Sequence, residues 1–379
     1  MSDLLTRSVA KVIPKDLAEA KVKSGKKMRL YWGIDPTGAR IHVGHAVNLR
    51  KMKQFVDEGH EVIFLVGSFT AMIGDPTDRE SLRQPLTAED VRKNFETYKE
   101  QASKVLDFSK VEVRYNHEWL EKLGFAEILG LASNFTVQQM SQRDMFQKRL
   151  KEGKDIGVHE FLYPLMVGYD SVMLDVDVEL GGTDQEFNML AGRTLQARMG
   201  KRDKFVMTVK LLEGTDGRKM SKSYDNCIYL DDAPNDMFGK IMSVQDGLME
   251  QYFELCTDVD PAEAKTILKG DPRDAKVRLA KEIVTLYHGS TAADAAVYNF
   301  ENVFGNGGVP DDVPEITLKE GETLLDVLAR EKLIASKSDG RRLIDQGAIS
   351  IDGNPVTEIH APAEKGVVKV GKRKFLRIV

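Results

Sequence analysis

Apolar positions in the first part of the chain fall into short runs joined by stretches of helical spacing. Arg29 to Ile34 (RLYWGI) is a strand-length run with Gly33 near its end. Asp35-Pro36-Thr37-Gly38 follows as turn chemistry, because proline fixes φ and glycine admits positive φ. Val43 to Asp57 reads as a helix with Val47, Met52 and Phe55 apolar and Arg50, Lys51 and Lys53 on the exposed side; Gly59 stops it. Glu61 to Val66 (EVIFLV) is a second strand. Strand, helix and buried strand in so short a span form a βαβ unit, hence a parallel sheet and an α/β fold. Further strands are predicted at Val111 to Arg114, Val176 to Leu180 and Lys204 to Leu211. A helix is predicted over Ala88 to Val105, where Val91, Phe95, Tyr98 and Val105 repeat at helical spacing, and a more charged helical insertion over Glu118 to Leu150.

After Asp232 the strand signals stop. Asn235 to Met242, Leu248 to Leu255, Pro261 to Leu268, Pro272 to Tyr287 and Ala292 to Phe304 are a run of amphipathic helices, several opened by proline. Gly305 to Pro314 (GNGGVPDDVP) has the composition of a linker. Beyond it, helices at Thr323 to Glu331 and Ser338 to Gln346 precede strands at Ala348 to Ile351, Gly366 to Val370 and Lys374 to Ile378. The expected organisation is an α/β domain over 1–228 (insertion about 76–160, basic loop 215–226), an all-α domain over 229–304, a linker over 305–317 and a small α+β domain over 318–379.

Composition changes this picture little. With 379 residues, 42% hydrophobic and 30% charged, the chain is long enough for a large core and for two to three domains. No run approaches the ~20 apolar residues of a membrane span, and Asp3, Arg7, Lys11, Lys15 and Asp16 interrupt any secretory apolar region. Cys227 and Cys256, not spaced as C-x-x-C, exclude a disulfide framework and a cysteine-rich zinc site, so a reducing cytoplasm is expected. Charge is more informative. From Leu333 onward nine Lys/Arg face five Asp/Glu, a net of +4, so the remainder of a chain of net charge −5 carries −9. That asymmetry points to a basic C-terminal module suited to nucleic acid.

Two constellations carry chemistry. His42-Val43-Gly44-His45 stands where a first strand feeds a helix N-terminus, the phosphate-binding place of doubly wound folds. Imidazole N–H groups there can donate to phosphate, and Gly44 leaves room for a nucleotide; two helix-turn histidines or a metal pair are the alternatives. No third metal ligand or H-E-x-x-H pattern accompanies them, and no protein-bound metal is expected. Gly217-Arg218-Lys219-Met220-Ser221-Lys222-Ser223 offers two lysines that can converge on a polyphosphate; a solvated basic loop is the alternative.

HxGH after the first strand and KMSKS after the last one form together the joint signature of class I aminoacyl-tRNA synthetases. Within that class the chain resembles the bacterial tyrosyl-tRNA synthetases throughout its length. The resemblance is carried by YWGIDPTGARIHVGH (Tyr31 to His45), MIGDPT (Met72 to Thr77), EFLYPLMVGYDSV (Glu160 to Val172), GGTDQ (Gly181 to Gln185) and KMSKS. Ser338-Asp339-Gly340-Arg341-Arg342-Leu343-Ile344, with Gly347 and Asp352-Gly353, resembles an S4 RNA-binding module. The resemblance implies a Rossmann-like catalytic domain and a two-step reaction. Tyrosine and ATP give tyrosyl-adenylate and pyrophosphate, and tyrosine then passes to the 3′ end of tRNA(Tyr).

By the same resemblance Tyr31 and Asp170 contact the substrate's phenolic hydroxyl, and Asp75 and Tyr163 its ammonium. Gln185 lies near the reacting carboxylate, and Gly182 and Asp184 meet the ribose of the adenylate. Gly33, Asp35, Thr37, His42, Gly44, His45 and Asn48 line the ATP side, with Thr37 and His42 on the γ-phosphate and His45 and Asn48 at the nucleotide ribose. Lys219, Lys222 and Ser223, with Arg79 and Arg83, clamp the departing pyrophosphate. Arg341, Arg342, Lys372, Arg373 and Lys374 are the RNA-binding positions, and the helical domain meets the anticodon arm. Mg²⁺ enters with ATP. The family forms homodimers, and a helix over Phe135 to Arg149 resembles part of that interface.

Val167 departs from the pattern. The family usually has glutamine there, one helical turn beyond Tyr163, where it helps bind the amino group. Valine offers no hydrogen bond, and losing such a bond costs about 1–3 kcal/mol. Two other function classes compete. A small-molecule nucleotidyltransferase accounts for HxGH but not for KMSKS or the basic tail. A non-catalytic RNA-binding descendant accounts for the tail but needs neither phosphate motif.

Overall fold

The computed structural model describes residues 3–36, 38, 40–75, 86–221, 224–305, 313–319, 321–359, 361–371 and 374–379. The chain divides into two compact units, Met1–Ala293 and Asp294–Val379.

The first unit opens with β1 (Val9–Ile13), α1 (Lys15–Lys23), β2 (Arg29–Ile34), α2 (Val43–Asp57), β3 (Glu61–Val66) and α3 (Thr70–Ile73). It continues with α4 (Ala88–Ala102), β4 (Glu112–Tyr115), α5 (His117–Leu120), α6 (Phe125–Ala132), α7 (Val137–Ser141) and α8 (Asp144–Lys151). Then come α9 (Val158–Leu174), β5 (Val178–Gly182), α10 (Glu186–Arg198) and β6 (Phe205–Val209). Six strands form one sheet in the order β1-β6-β5-β2-β3-β4, parallel except for β1, which runs antiparallel to β6. The expected parallel α/β sheet is thus present with an added antiparallel edge. β2, α2 and β3 have the predicted bounds, because each is an uninterrupted pattern closed by turn residues.

Other expectations need correction. β1 and α1 were not foreseen. Lys51, expected on the exposed side of α2, is buried, its ammonium donating to the Leu4 carbonyl (3.1 Å) and to Gln54 Oε1 (2.6 Å). The helix expected over Ala88 to Val105 ends at Ala102. The single helix expected over Phe135 to Arg149 is two, α7 and α8. Thr136 caps the first, accepting from the Gln139 amide, and Arg143 takes an extended conformation (φ −60°, ψ 131°) before the second.

The helices α9 and α10 pack closely at glycines: a Cβ on Gly168 would lie 3.1 Å from the Gly192 amide nitrogen. The left-handed Asp175 (φ 45°, ψ 69°) then turns the chain from α9 toward β5. Past β6 run α11 (Pro234–Met242), α12 (Met249–Cys256), α13 (Pro261–Ile267), α14 (Pro272–His288) and α15 (Ser290–Gly305). α13 and α14 start as Asp-Pro, with Asp260 and Asp271 accepting first-turn amides and proline fixing φ where no helical donor is needed.

The second unit contains β7 (Glu315–Ile316), α16 (Leu324–Arg330), α17 (Lys337–Asp345), β8 (Ile349–Ile351), β9 (Asn354–Pro355), β10 (Gly366–Val370) and β11 (Lys374–Ile378). Its sheet has the order β7-β11-β10-β8-β9, and its core includes Leu324, Leu328, Ile344, Ile349, Val368 and Leu376. The Thr323 hydroxyl caps α16, accepting from the Asp326 amide at 3.3 Å. The two helices followed by β8, β10 and β11 match the expected small α+β arrangement, whereas the short strands β7 and β9 were not foreseen.

Candidate active site

The β-strand order reverses at β2, with β3 on one side and β5 on the other. In parallel α/β sheets ligands bind at the carboxyl ends of the strands flanking such a reversal. Gly33 and Asp35 come from the end of β2, His42, Gly44, His45 and Asn48 from the start of α2, and Gly182, Asp184 and Gln185 from the end of β5 and the turn after it. Tyr163, Val167 and Asp170 line successive turns of α9.

A continuous chain of hydrogen bonds joins several of these residues. Tyr163 donates its hydroxyl to Asp35 Oδ2 (2.8 Å), and Thr70 donates to Asp35 Oδ1 (2.7 Å). Asn116 Nδ2 donates to the Thr70 oxygen (3.0 Å) and to Asp170 Oδ2 (3.2 Å); Trp119 Nε1 donates to Asp170 Oδ1 (2.8 Å). Gly67 makes room for Asp35, since a Cβ there would lie 1.8 Å from its Oδ1. Asp35 therefore joins Tyr163, expected at the amino-acid side, to the turn leading to the histidines. Burial pushes the Asp170 carboxyl well above the ordinary range against the Trp119 and Asn116 donors, and Glu179 and Asp35 push it further up. The Tyr163 hydroxyl is raised by burial, then by Asp35 and Asp75. Thr70, Asn116 and Trp119 are functional candidates that the sequence reading missed. The available signal was Trp119 itself, whose indole N–H needs an acceptor once the ring is buried.

Asp75 Oδ2 accepts from Gln185 Nε2 (2.7 Å), and Gln185 Oε1 accepts from Asn188 Nδ2 (2.8 Å). The Arg143 guanidinium, buried against Phe146 and Phe187, lies 4.0 Å from Asp75 Oδ1. Val167 is half-buried one turn beyond Tyr163 and brings no polar atom. A Cβ on Gly182 would stand 2.4 Å from Asp184 Oδ1, so a side chain there would displace the Asp184 carboxylate. At Gly33 the nearest atom would be 3.6 Å away, so nothing in the chain excludes a side chain there.

His42 and His45 stack with ring centroids 3.7 Å apart and planes 18° from parallel. A Cβ on Gly44 would come within 3.0 Å of His42 Nδ1 and 3.7 Å of Met220 Sδ. Met220, the buried methionine of the KMSKS segment, thus packs on the histidine turn. Downstream, the Val43 amide donates to the Ile228 carbonyl (2.9 Å) and the Leu230 amide to the Ile41 carbonyl (3.0 Å). The two signature motifs, far apart in sequence, meet in space. Asn48 is buried, and its Oδ1 has no partner among the described residues. Lys219 is exposed, and its carbonyl accepts from Asn226 Nδ2 (3.1 Å). The Asn226 amide and the Arg218 guanidinium hold the Asp216 carboxyl of this loop down to about 2.

Thr37, Arg79, Arg83, Lys222 and Ser223 lie outside the described residues, as do Lys372 and Arg373. In the second unit Arg341 and Arg342 are exposed on α17, with Arg342 donating to Asp339 (2.7 Å). Lys374, exposed at the start of β11, donates to the Leu333 carbonyl (2.7 Å). Among the described residues no three His, Cys, Asp or Glu side chains cluster as metal ligands, and no helix is long and apolar enough to cross a membrane.

The family model of class I tRNA synthetases (W and Y) matches residues 23–305, and that of the tyrosine–tRNA ligase SYY-like C-terminal domain matches residues 306–378. Tyrosine–tRNA ligase 2 of Vibrio vulnificus is 46% identical over 383 residues, covering 99% of this chain and 97% of its own. The tyrosine–tRNA ligase of Oleidesulfovibrio alaskensis is 46% identical over 386 residues, with the same coverages. A C-terminally truncated mitochondrial tyrosyl-tRNA synthetase of Aspergillus nidulans superposes with a TM-score of 0.66 at 25% identity, covering 78% of this chain and 91% of that one. Over its whole length, then, the chain belongs to the tyrosyl-tRNA synthetase family of class I tRNA synthetases.

Proposed function

We propose that this chain activates L-tyrosine with ATP to tyrosyl-adenylate, releasing pyrophosphate, and then transfers tyrosine to the 3′ end of tRNA(Tyr). The observation that carries the reading is the packing of Met220 on the Gly44 turn, which sets the histidine pair beside the lysine-bearing loop. A triphosphate entering there meets imidazole donors on one side and the Lys219 ammonium on the other. Thr37, Lys222, Ser223, Arg79 and Arg83 complete the phosphate set in this reading. Such preorganised donors act where charge develops on the leaving pyrophosphate, with no covalent enzyme intermediate. Mg²⁺ arrives with ATP as part of the substrate, held by phosphates and water.

Tyr31 and Asp170 recognise the phenolic hydroxyl, and Asp75, Tyr163 and Gln185 orient the ammonium and carboxylate for attack. Asp184 and Asn48, beside Gly182, meet ribose hydroxyls, for which the unpartnered Asn48 Oδ1 is a ready acceptor. Gly33 is glycine to let the ligand approach, since the chain itself has space for a side chain.

The division at 228, 304 and 317 into catalytic, helical, linker and S4-like parts belongs to the same reading, with the helical part meeting the anticodon arm. So do the RNA contacts of Arg341, Arg342, Lys372, Arg373 and Lys374, and a cytoplasmic location. Phe125, Leu129, Val137, Leu150 and Val158 are exposed apolar side chains of α6–α9, and exposed apolar surface in this segment supports a homodimer. ATP–pyrophosphate exchange with a panel of amino acids, followed by charging of tRNA, tests the whole. Exchange with tyrosine and charging of tRNA(Tyr) are expected; exchange with a substrate other than an amino acid overturns it.

Val167 leaves the ammonium subsite one hydrogen bond short of the family pattern. Val167→Gln is expected to lower the KM for tyrosine by about fivefold or more in pyrophosphate exchange, with the KM for ATP unchanged. An unchanged tyrosine KM removes this account of Val167.

A further inference from the structure

Behind Tyr31 lies a fully buried ionic cluster that the reaction scheme above leaves unused. Lys204, immediately before β6, is 1% exposed, and Glu179 of β5 and Ser171 of α9 are buried with it. The Lys204 ammonium donates to Glu179 Oε2, to Ser171 Oγ (2.7 Å) and to the Met189 carbonyl (3.1 Å), which uses all three of its hydrogens. Ser171 donates its own hydrogen to Glu179 Oε2 (3.0 Å). Tyr31 and Glu179 are register partners on adjacent parallel strands, and the Tyr31 hydroxyl lies 2.9 Å from Ser171 Oγ. Gly192 leaves the space for the cluster: a Cβ there would stand 2.4 Å from Ser171 Oγ and 2.6 Å from Lys204 Nζ.

The donor inventory settles where each proton goes. Glu179 as a carboxylate only accepts and Lys204 as an ammonium only donates, so Ser171 must give its hydrogen to the first and a lone pair to the second. What Ser171 has left for Tyr31 is a lone pair. Tyr31 therefore donates inward and presents only lone pairs to anything on its other side. We infer that Lys204, Glu179 and Ser171 are positioning residues that lock Tyr31 as a hydrogen-bond acceptor, so that the amino-acid subsite demands a ligand whose ring carries a hydrogen-bond donor. The inference rests on the reading that Tyr31 faces the substrate's phenol. It makes specificity a matter of proton direction as well as of shape. Ring substituents that cannot donate leave the oxygen lone pairs of Tyr31 buried without a partner.

The test uses pyrophosphate exchange with the full chain and four ligands: tyrosine, phenylalanine, 4-aminophenylalanine and 4-fluorophenylalanine. The unmodified chain is expected to favour the amino over the fluoro compound by at least tenfold in kcat/KM. The paired variant Lys204→Met/Glu179→Gln removes both charges and lets the amide donate to Ser171, which reverses the relay and frees the Tyr31 hydrogen to point outward. The amino-to-fluoro and tyrosine-to-phenylalanine ratios are then expected to fall at least tenfold, with the KM for ATP within twofold of its starting value. Unchanged ratios in a folded paired variant overturn the inference. Should that variant not fold, Ser171→Ala decides: at least a fivefold rise in tyrosine KM is expected, and an unchanged KM overturns the inference. Tyr31→Phe separates the two levels. If it leaves tyrosine kcat/KM intact, the underlying reading of Tyr31 fails. If it lowers kcat/KM while the other variants change nothing, only the relay fails.

Discussion

Asp170→Ala is expected to lower kcat/KM for tyrosine by at least a thousandfold in pyrophosphate exchange and to destabilise the fold as well. The side chain is 2% exposed and is the shared acceptor of Trp119 Nε1 and Asn116 Nδ2. Alanine leaves both donors buried without that acceptor, each costing on the order of 1–3 kcal/mol. Thermal unfolding registers that part. The activity loss has a separate origin, because a recognised hydroxyl is worth ~10⁴–10⁵-fold in discrimination when the site is built to pair with it. Stability should also change its response to pH. Burial raises the folded-state pKa of Asp170, so between the ordinary carboxylate pKa and the raised one the folded chain holds a proton that the unfolded chain has lost. Stability from this group therefore falls as pH rises through that window, and the variant should lose that component of the slope in pH-dependent thermal unfolding. Retained tyrosine kcat/KM would remove Asp170 from the site.

His42→Ala is expected to act on the chemical step rather than on tyrosine binding. Removing one preorganised donor from a developing charge costs about 10²–10³ in kcat. The stack with His45 is lost too, so the remaining imidazole loses a flat neighbour that holds its orientation. Single-turnover formation of tyrosyl-adenylate should slow about a hundredfold or more, while the KM for tyrosine stays within about threefold. A large rise in tyrosine KM with kcat intact would move His42 to the other subsite.

What the sequence reveals follows the range of the interactions involved. β2, α2 and β3 are bounded by local signals, and their limits agree with the pattern residue for residue. β1 is illegible: VAKVI alternates weakly, and its partner β6 lies nearly two hundred positions later. The break between α7 and α8 is set by the Thr136 cap and the extended Arg143, which helical periodicity alone does not register. In the site, the two phosphate motifs are legible because each is contiguous. The groups beneath them are not. Lys204 reads as a surface charge at a strand start, and Thr70, Asn116 and Trp119 as unremarkable loop and helix residues. Their meaning arises only once β2, β5 and α9 are side by side. Asp35 illustrates the same limit, since its place in a phosphate-side turn gave no hint of its bond to Tyr163.

The antiparallel strand β1 has a consequence for handling the protein. Every residue of β6 is buried, including its two valines, Phe205 and Met207. An apolar strand of that kind is safe only while its outer hydrogen-bonding row is occupied, which β1 does through the pairings Val9–Val209 to Ile13–Val206. Trimming the chain to begin at Lys15 would remove none of the proposed site residues yet bare a greasy, unpaired ribbon ready to recruit a neighbour's strand. Short N-terminal deletions, tags that displace these residues, or proteolysis before α1 would then surface as precipitation rather than as lost turnover per folded molecule.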